Sequence, residues 1–526
     1  MTNSVLHPAN IAVFFAYLVG MVAMGVFFSR RNSSSDDYFR GGGKLPWWAV
    51  SLSIYATMFS SITFLSIPAM VYHTDMRYVS LSLGILLLAP IVVKWYLPFF
   101  RRLNLTSAYE YLEVRFNLAC RLFASAAFIM FMIARTAVVT YLPAVALSAV
   151  VGIDVNWAIV VVIAVTIFYC TLGGVEAVVW SDFVQSVILI GGTLLMFVFL
   201  ILGTDGGISG FIAKGMEGGK FRVFDFAFDW SQPCFWVVFV GGIVANLASY
   251  TSDQCVVQRY MTTRDERGAA KSILFNGVLS FFNNIVFFLL GVALYTFVAS
   301  HPGFLPSDVK GDAVFPYFIG FGLPPGMSGL LLAAVAAATM STLSANLNAA
   351  ASAVTTDFYK RLGGSHFSAT ADALKRVPPV STDALKRVPP VSADAQKRVP
   401  PVSDAALLRC GKICTIAVGL LGGGFALVLA NMDIQSIYDQ FQRFLGVLTG
   451  GLGCLFFMGI FMKRVNAAGA TVGLIVNYVV CFTLDQLMFP GKPHLLLYGA
   501  IGMVACLVVA PIISAFTGKR KGMHSA

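Results

Sequence analysis

Charge is the first thing this sequence is short of: aspartate, glutamate, lysine and arginine make up 12% of its 526 residues, against 58% hydrophobic ones. With a mean hydropathy of +0.79, that scarcity excludes an ordinary water-soluble domain, in which about a quarter of residues are charged. Histidine is scarcer still, at six, and the six form no cluster. The nine cysteines are scattered mostly through apolar runs, without CxxC spacing and without histidine at ligand distance, so they read as small packing residues. HExxH and GxSxG are absent, and with them any recognisable apparatus for hydrolysis or transition-metal chemistry. Neither composition nor motif supports an enzyme.

Long apolar runs are what the sequence has instead. About thirteen are long enough to cross some 30 Å of hydrocarbon, starting near residues 10, 47, 79, 119, 156, 182, 233, 270, 327, 412, 437, 467 and 495. The first is preceded by no lysine or arginine and leads into further spanning segments, so it is expected to be retained rather than cleaved as a signal peptide. The net charge of +11 does not point to nucleic acid, because the basic residues alternate by loop. With the N-terminus outside, Arg30, Arg31, Arg40, Lys44, Lys94, Arg101, Arg102, Arg115, Arg121, Arg259, Arg264, Arg267 and Lys271 fall inside. So do the 357–412 loop, Lys463, Arg464 and the tail Lys519, Arg520 and Lys521. That asymmetry is the positive-inside rule, and an odd helix count then puts the C-terminus in the cytoplasm.

Between the runs that start near 327 and 412, residues 371–403 read ADALKRVPPVS, TDALKRVPPVS, ADAQKRVPPVS. Paired prolines in each copy break any helix, so this tandem is expected to be a disordered basic cytoplasmic loop. Docking or attraction to anionic headgroups is the alternative.

One apolar run carries many hydroxyls. SIYATMFSSITFLSIPA, residues 53–69, has six serines or threonines and a proline. Back-bonding to the preceding turn explains one or two. Ser60, Ser61 and Thr63 crowded behind Ala56 and Thr57 suggest that the helix unwinds near 56–60. Carbonyls freed there must face a polar cavity or an ion. Broken helices near mid-membrane mark the sites of transporters built from inverted repeats. Such a fold predicts a second break five helices later, where NLASYTSDQ (246–254) interrupts the run from 233. In AAVAAATMSTLSANLNAA (333–350), Ala338, Ser341 and Thr342 share one helix face at i, i+3 and i+4, with Ser344 and Ala345 one turn on. Small residues there permit close helix packing; opposite an unwound segment they also make a neutral oxygen cage suited to a hard cation such as sodium.

Two ionisable residues stand out. Arg135 lies mid-helix with no acid within two turns, and a central arginine costs about 2.5–3.5 kcal/mol on insertion scales, so it wants an anion; a structural arginine bonding helix-end carbonyls is the alternative. Asp182 is expected at the start of the sixth helix, as an N-cap or as a cation ligand. Asp439 and Arg443, at i, i+4, satisfy one another.

DDYFRGGGKLPWWA (36–49), ATMFSSITFLSIPA (56–69), TSAYEYLEVRF (106–116), GGVEAVVWSDFVQ (173–185) and NLASYTSDQCVVQRY (246–260) resemble the solute:sodium symporter family, nearest to its bacterial sodium-coupled sialic acid branch. The resemblance implies an all-α membrane protein of the LeuT type, with a five-plus-five inverted repeat and broken first and sixth core helices. Its parts would be an extra N-terminal helix (1–46), a first repeat (47–203), a second repeat (233–462, including the disordered loop 362–406) and two C-terminal helices with a basic tail (463–526). It implies a main sodium site from the carbonyls of Ala56, Phe59 and Ala338 and the hydroxyls of Ser341 and Thr342. A second is implied at Asp182, Ser341 and Ser344; Ala345 stands where a further serine is expected, so one or two sodium ions are implied. Ser60, Ser61, Thr63 and Arg135 match a pocket for a sugar-acid carboxylate, with Asn246 lining the same cavity. Met58, Ser82 and Ala248 depart from the threonine, glutamine and amide expected there, which implies a different sialic acid or another acidic sugar.

The function that follows is sodium-coupled symport of a sialic acid or related acidic sugar across a bacterial inner membrane, with sodium, the sugar acid and the bilayer as partners and no obligatory protein or nucleic acid. The rival expectations are a symporter for an uncharged sugar or amino acid, and a membrane sensor derived from a transporter. A passive channel is opposed by the lack of a selectivity-filter loop.

Overall fold

The computed structural model describes residues 7–29, 35–103, 106–307, 309, 311–362, 403–432, 450–486 and 491–517. In hydrocarbon a backbone must satisfy its own polar groups, so apolar runs of this length fold as helices. Among the described residues every regular element is helical. The chain begins with α1 (Pro8–Ser29) and the short α2 (Ser35–Arg40). α3 (Trp47–Met58) and α4 (Ser61–His73) are halves of one run bent by 58°. Then come α5 (Leu83–Ile91), a π-turn over Val92–Tyr96, α6 (Leu97–Leu103), α7 (Glu110–Arg115), α8 (Leu118–Val151), α9 (Val155–Gly203) and α10 (Gly207–Glu217). The second broken run is α11 (Phe235–Thr251) with α12 (Gln254–Met261), bent by 52°. α13 (Glu266–Ser300), α14 (Val314–Phe321), α15 (Met327–Ala353, prolonged by a π-turn over Val354–Tyr359) and α16 (Asp404–Ala430) follow. The described chain ends with α17 (Gly450–Phe461), α18 (Ala467–Gln486) and α19 (Tyr498–Thr517).

Nine helices among the described residues are long and apolar enough to cross a membrane, and the two bent pairs bring the number to eleven. This is a multi-pass membrane protein. The segments expected from about 156 and 182 are joined in α9, whose 49 residues extend about 74 Å, more than twice the hydrocarbon thickness. α9 bends at Gly174 (φ 59, ψ −163), a conformation reserved for glycine. Most of the run expected from 437 lies outside the described residues, as do the Asp439–Arg443 pair and nearly all of the 371–403 repeat.

The centre of the molecule is α15. Its most apolar window is 94% buried, which its many alanines and serines allow, because small side chains let neighbouring backbones close in from all sides. It packs against α1, α3, α8, α9 and α16. α5 and α11 approach equally closely: a Cβ on Gly84 would stand 2.9 Å from the carbonyl carbon of Gly242.

Two basic residues expected in inner loops are instead buried in helices, because carboxylates meet them there. Arg121, in α8, pairs with Asp357 at 2.6 Å and Glu113 at 2.8 Å. Arg259, in α12, pairs with Asp182 at 3.2 Å. Counting charge along the chain cannot distinguish a solvated arginine from one neutralised across the fold.

Candidate functional site

The first break consists of Phe59 (φ −93, ψ 89) and Ser60 (φ −86, ψ 166). The Phe59 amide still donates to Tyr55 O at 2.8 Å, and there the ladder stops. Ser60 begins α4 as its N-cap, accepting the Thr63 amide at 3.5 Å. The carbonyls of Ala56 and Thr57 take donors from other helices. Ser341, on α15, donates to Ala56 O at 3.0 Å, and Arg135, on α8, donates to Thr57 O at 3.1 Å.

The Ser341 hydroxyl also lies 3.1 Å from Ala338 O, and Thr342 Oγ1 donates to the same carbonyl at 3.2 Å. Ala56 O, Ala338 O, Ser341 Oγ and Thr342 Oγ1 therefore converge, each buried and within hydrogen-bond reach of another. Phe59 sits at the break, its ring stacked on Tyr55 and tilted against Phe287. A hydroxyl oxygen keeps lone pairs while its proton is engaged, so this neutral oxygen set fits a hard monovalent cation.

The second break falls at Ser252 and Asp253 and is closed by its own chain. The Ser252 and Asp253 amides both donate to Ala248 O. Asn246, Ser249, Thr251 and Ser252 each bond back four residues, to Gly242, Ala245, Leu247 and Ala248. Asp253 caps α12 by accepting the Cys255 amide at 2.8 Å. Its other oxygen accepts Arg135 Nη1 at 3.3 Å. One guanidinium therefore touches both breaks, and its Nε is buried without a hydrogen-bond partner. Beside it lies a cavity of about 110 Å³ whose lining includes Thr57, Met58, Arg135, Ser249, Ser252 and Asp253.

A second polar group lies beneath the cation oxygens. Asp182, fully buried within α9, is not the helix cap that was an alternative for it. Its Oδ2 accepts Ser53 at 2.5 Å and Arg259 at 3.2 Å, while Oδ1 has no hydrogen-bond partner. The Ser344 hydroxyl is near Asp182 and donates to Ser341 O at 2.9 Å.

A broken helix whose freed carbonyls meet α15 hydroxyls is crossed by one buried arginine. The sodium:solute symporter family model matches residues 38–377. The chain belongs to the sodium:solute symporter family. It is 34% identical to the sodium/sialic acid symporter SiaT of Proteus mirabilis over 96% of this chain and 94% of that one. It is 34% identical to the sodium/sialic acid symporter NanT of Aliivibrio fischeri over 95% and 92%. A sodium/glucose cotransporter of Vibrio parahaemolyticus is 28% identical over 89% and 83%. Among solved structures, a substrate-bound, outward-open sodium-coupled sialic acid symporter superposes with a TM-score of 0.83 at 33% identity, covering 97% of this chain and 98% of that one. The nucleobase-cation-symport transporter Mhp1, at 15% identity and a TM-score of 0.55 over 92% and 96% of the two chains, shares the fold alone. Both neighbours bear out the LeuT-type architecture, and sodium coupling comes with family membership.

Of the residues expected to hold substrate, this symporter brings Met58 and Arg135 to the cavity. Ser60, Ser61, Thr63, Ser82 and Asn246 do not line it: Ser61 donates to Val139 O at 3.2 Å, Asn246 bonds its own helix, and Ser60 and Ser82 are buried. Sequence reasoning missed four participants, namely the Thr57 carbonyl, Asp253, Ser53 and Arg259. Asp253 had a signal, since an acid where apolar character collapses is a natural N-cap for a restarted helix. The Asp182–Arg259 pair had none, because its partners lie on separate helices.

Proposed function

We infer that this symporter imports a sialic acid or a related acidic sugar together with sodium. The observation that carries the reading is Arg135, buried between the two breaks with one donor unengaged beside a cavity. A substrate carboxylate arriving there exchanges with Asp253 on the guanidinium, a charge-assisted contact that planar arginine favours. Sodium at Ala56, Phe59, Ala338, Ser341 and Thr342 holds the broken α3–α4 run against α15. This fixes the Thr57 carbonyl on which Arg135 rests, so ion and substrate each raise the other's affinity by the same factor.

The positive-inside distribution supports a bacterial inner-membrane protein with its N-terminus outside and C-terminus in the cytoplasm. In that orientation the cavity lies on the cytoplasmic side of Arg135. Ser60, Ser61, Ser82 and Asn246, all buried, lie on the other side and join the pocket when it opens outward. The charge of Asp182 is already balanced by Arg259, and Ala345 offers no hydroxyl. Both support one sodium per substrate, with Asp182 and Ser344 as the position a second would need. One sodium with a monoanion moves no net charge, whereas two move one, worth about 2.3 kcal/mol per 100 mV.

The experiment is uptake into proteoliposomes. Free sialic acid competes in a sodium-dependent manner and its methyl ester does not, and the rate is the same with and without a membrane potential. Equal competition by the ester favours the second reading, an uncharged sugar with Arg135 structural, which the Asp253–Arg135 pair supports. Accumulation above equilibrium after deletion of 371–403 excludes a sensor acting through that loop.

A further inference from the structure

A buried polar atom without a partner is costly, and each one asks for an explanation. Three of them gather on and against α15 beyond the cation oxygens: Gln258 Oε1, Asn348 Nδ2 and Ser352 Oγ, on residues no more than 3% exposed. Ser341, Ser344, Asn348 and Ser352 follow one another in steps of three and four residues, so they share one face of α15, within about 80° of arc and over about 16 Å. All four are buried. Gln258, on α12, meets this polar file: its Nε2 donates to Asn348 Oδ1 at 2.8 Å and to Phe39 O, of α2, at 2.7 Å. Those two bonds fix the orientation of both amides and leave Gln258 Oε1 and Asn348 Nδ2 unengaged. Ser352 stands one turn further along α15, toward the end that the proposed orientation puts in the cytoplasm.

We propose that Gln258, Asn348 and Ser352 form a hydrated transit site for sodium, through which the ion passes from the first break to the cytoplasm. The inference rests on the placement of sodium at Ser341 and Thr342, where the polar file begins. The donor set suits the cargo. Gln258 Oε1 and Ser352 Oγ are neutral hard oxygens. Asn348 Nδ2, a donor, holds water rather than the ion, so sodium travels here with part of its water shell. Arg259, next to Gln258 in the chain, is already paired with Asp182 at 3.2 Å, so its charge is balanced beside the path. The Gln258–Asn348 bond joins α12 to α15 across the file, and passage requires these two helices to part.

The test has one arm with substrate and one without. The Ser352 hydroxyl has no hydrogen bond to lose, so Ser352→Ala keeps the fold, and a merely structural hydroxyl would leave transport unchanged. In proteoliposomes, uptake of radiolabelled sodium driven by N-acetylneuraminate is expected to slow about threefold in Ser352→Ala and about tenfold in Asn348→Leu, while the equilibrium sodium affinity of the purified protein stays within about twofold. Without substrate, full-length Ser352→Cys in nanodiscs is treated with a cationic and an anionic methanethiosulfonate of like size, and the peptide carrying position 352 is read by mass spectrometry. The cationic reagent is expected to react about tenfold faster, as neutral oxygens that accept a cation predict. Equal reaction with both reagents, or unchanged sodium uptake in both Ser352→Ala and Asn348→Leu, overturns the proposal. Ser341→Ala separates this failure from that of the main site: an unaltered equilibrium sodium affinity there overturns the placement of sodium at Ser341, whereas the transit site is judged by flux and labelling.

Discussion

The two breaks solve one problem in opposite ways. A helix interrupted inside a membrane leaves carbonyls that water cannot reach. At the second break the chain answers for itself: Ser249, Thr251 and Ser252 bond back four residues, the amides of Ser252 and Asp253 share Ala248 O, and Asp253 caps the restart. At the first break the freed carbonyls of Ala56 and Thr57 depend on Ser341 and Arg135 from other helices. Bonds supplied by other helices can be exchanged for a cation or a ligand, and each exchange moves one helix against another. The self-satisfied break has little to exchange except the Asp253 carboxylate. The difference is what the proposed placement of the ion at the first break, and of charge selection between the two, rests on.

The hardest blow to this contrast falls on the side chain the breaks share. Arg135→Met leaves Thr57 O without its donor, the half-buried Asp253 without its counter-charge and, in the proposed function, the substrate carboxylate without its guanidinium. Truncating one member of a buried, hydrogen-bonded charge pair costs about 2–5 kcal/mol, so uptake is expected to fall at least thirtyfold, by about 1.4 kcal/mol per decade. Transport assays at saturating sodium check it; normal uptake would mean that Arg135 neither holds the two breaks nor receives the substrate.

Next comes the oxygen set that only the first break has. Ser341→Ala or Thr342→Ala removes one neutral ligand, and the sodium concentration for half-maximal uptake is expected to rise about tenfold, the equivalent of one charge-assisted bond of roughly 1.5 kcal/mol. Substrate affinity at saturating sodium is expected to stay within about twofold, because the proposed site has these oxygens touch the ion and not the substrate. A sodium titration of uptake reads both.

Where the two runs break was legible because both failures are local. Six hydroxyls around Ser60 and the amides and hydroxyls of NLASYTSDQ are chemically out of place in hydrocarbon. The shared face of Ala338, Ser341 and Thr342 followed from helical period alone and survives in the hydrogen bonds. What the sequence hid is pairing at a distance. Arg135 and Asp253 are separated by 118 positions and Arg259 and Asp182 by 77, so nothing local reveals that each arginine has an acid. Conformation was hidden as well: Ser60 and Asn246 share a motif-level likeness with a sugar pocket, yet neither lines the described cavity. One sequence serves both ends of a transport cycle, and pattern cannot say which end is populated.

A smaller effect tests which partner Arg135 prefers. Asp253→Asn keeps a competent N-cap, since asparagine caps about as well as aspartate, while removing the charge that competes for the guanidinium. Substrate affinity is therefore expected to improve a few-fold, by about 1 kcal/mol, the scale of a weak and partly desolvated ion pair. Binding measured on purified protein with sodium present checks the sign. A loss of affinity would show instead that Asp253 positions Arg135 for the substrate.

The smallest expected effect bears most directly on the contrast. Ser252→Ala removes a hydroxyl that donates to Ala248 O at 2.8 Å, but that carbonyl also receives the backbone amides of Ser252 and Asp253. No acceptor is orphaned, and back-bonding hydroxyls of this kind contribute little to a helix; the change is expected to stay within about 0.5 kcal/mol. Uptake and its sodium dependence should therefore stay within about twofold of the unaltered protein, whereas Ser341→Ala, an identical edit at the other break, shifts the sodium response about tenfold. Measured side by side, the pair isolates where a hydroxyl's proton goes from the mere presence of a hydroxyl. Equal effects at Ser252 and Ser341 would mean that both breaks bind the ion, and that the second is not closed by its own chain when sodium is present.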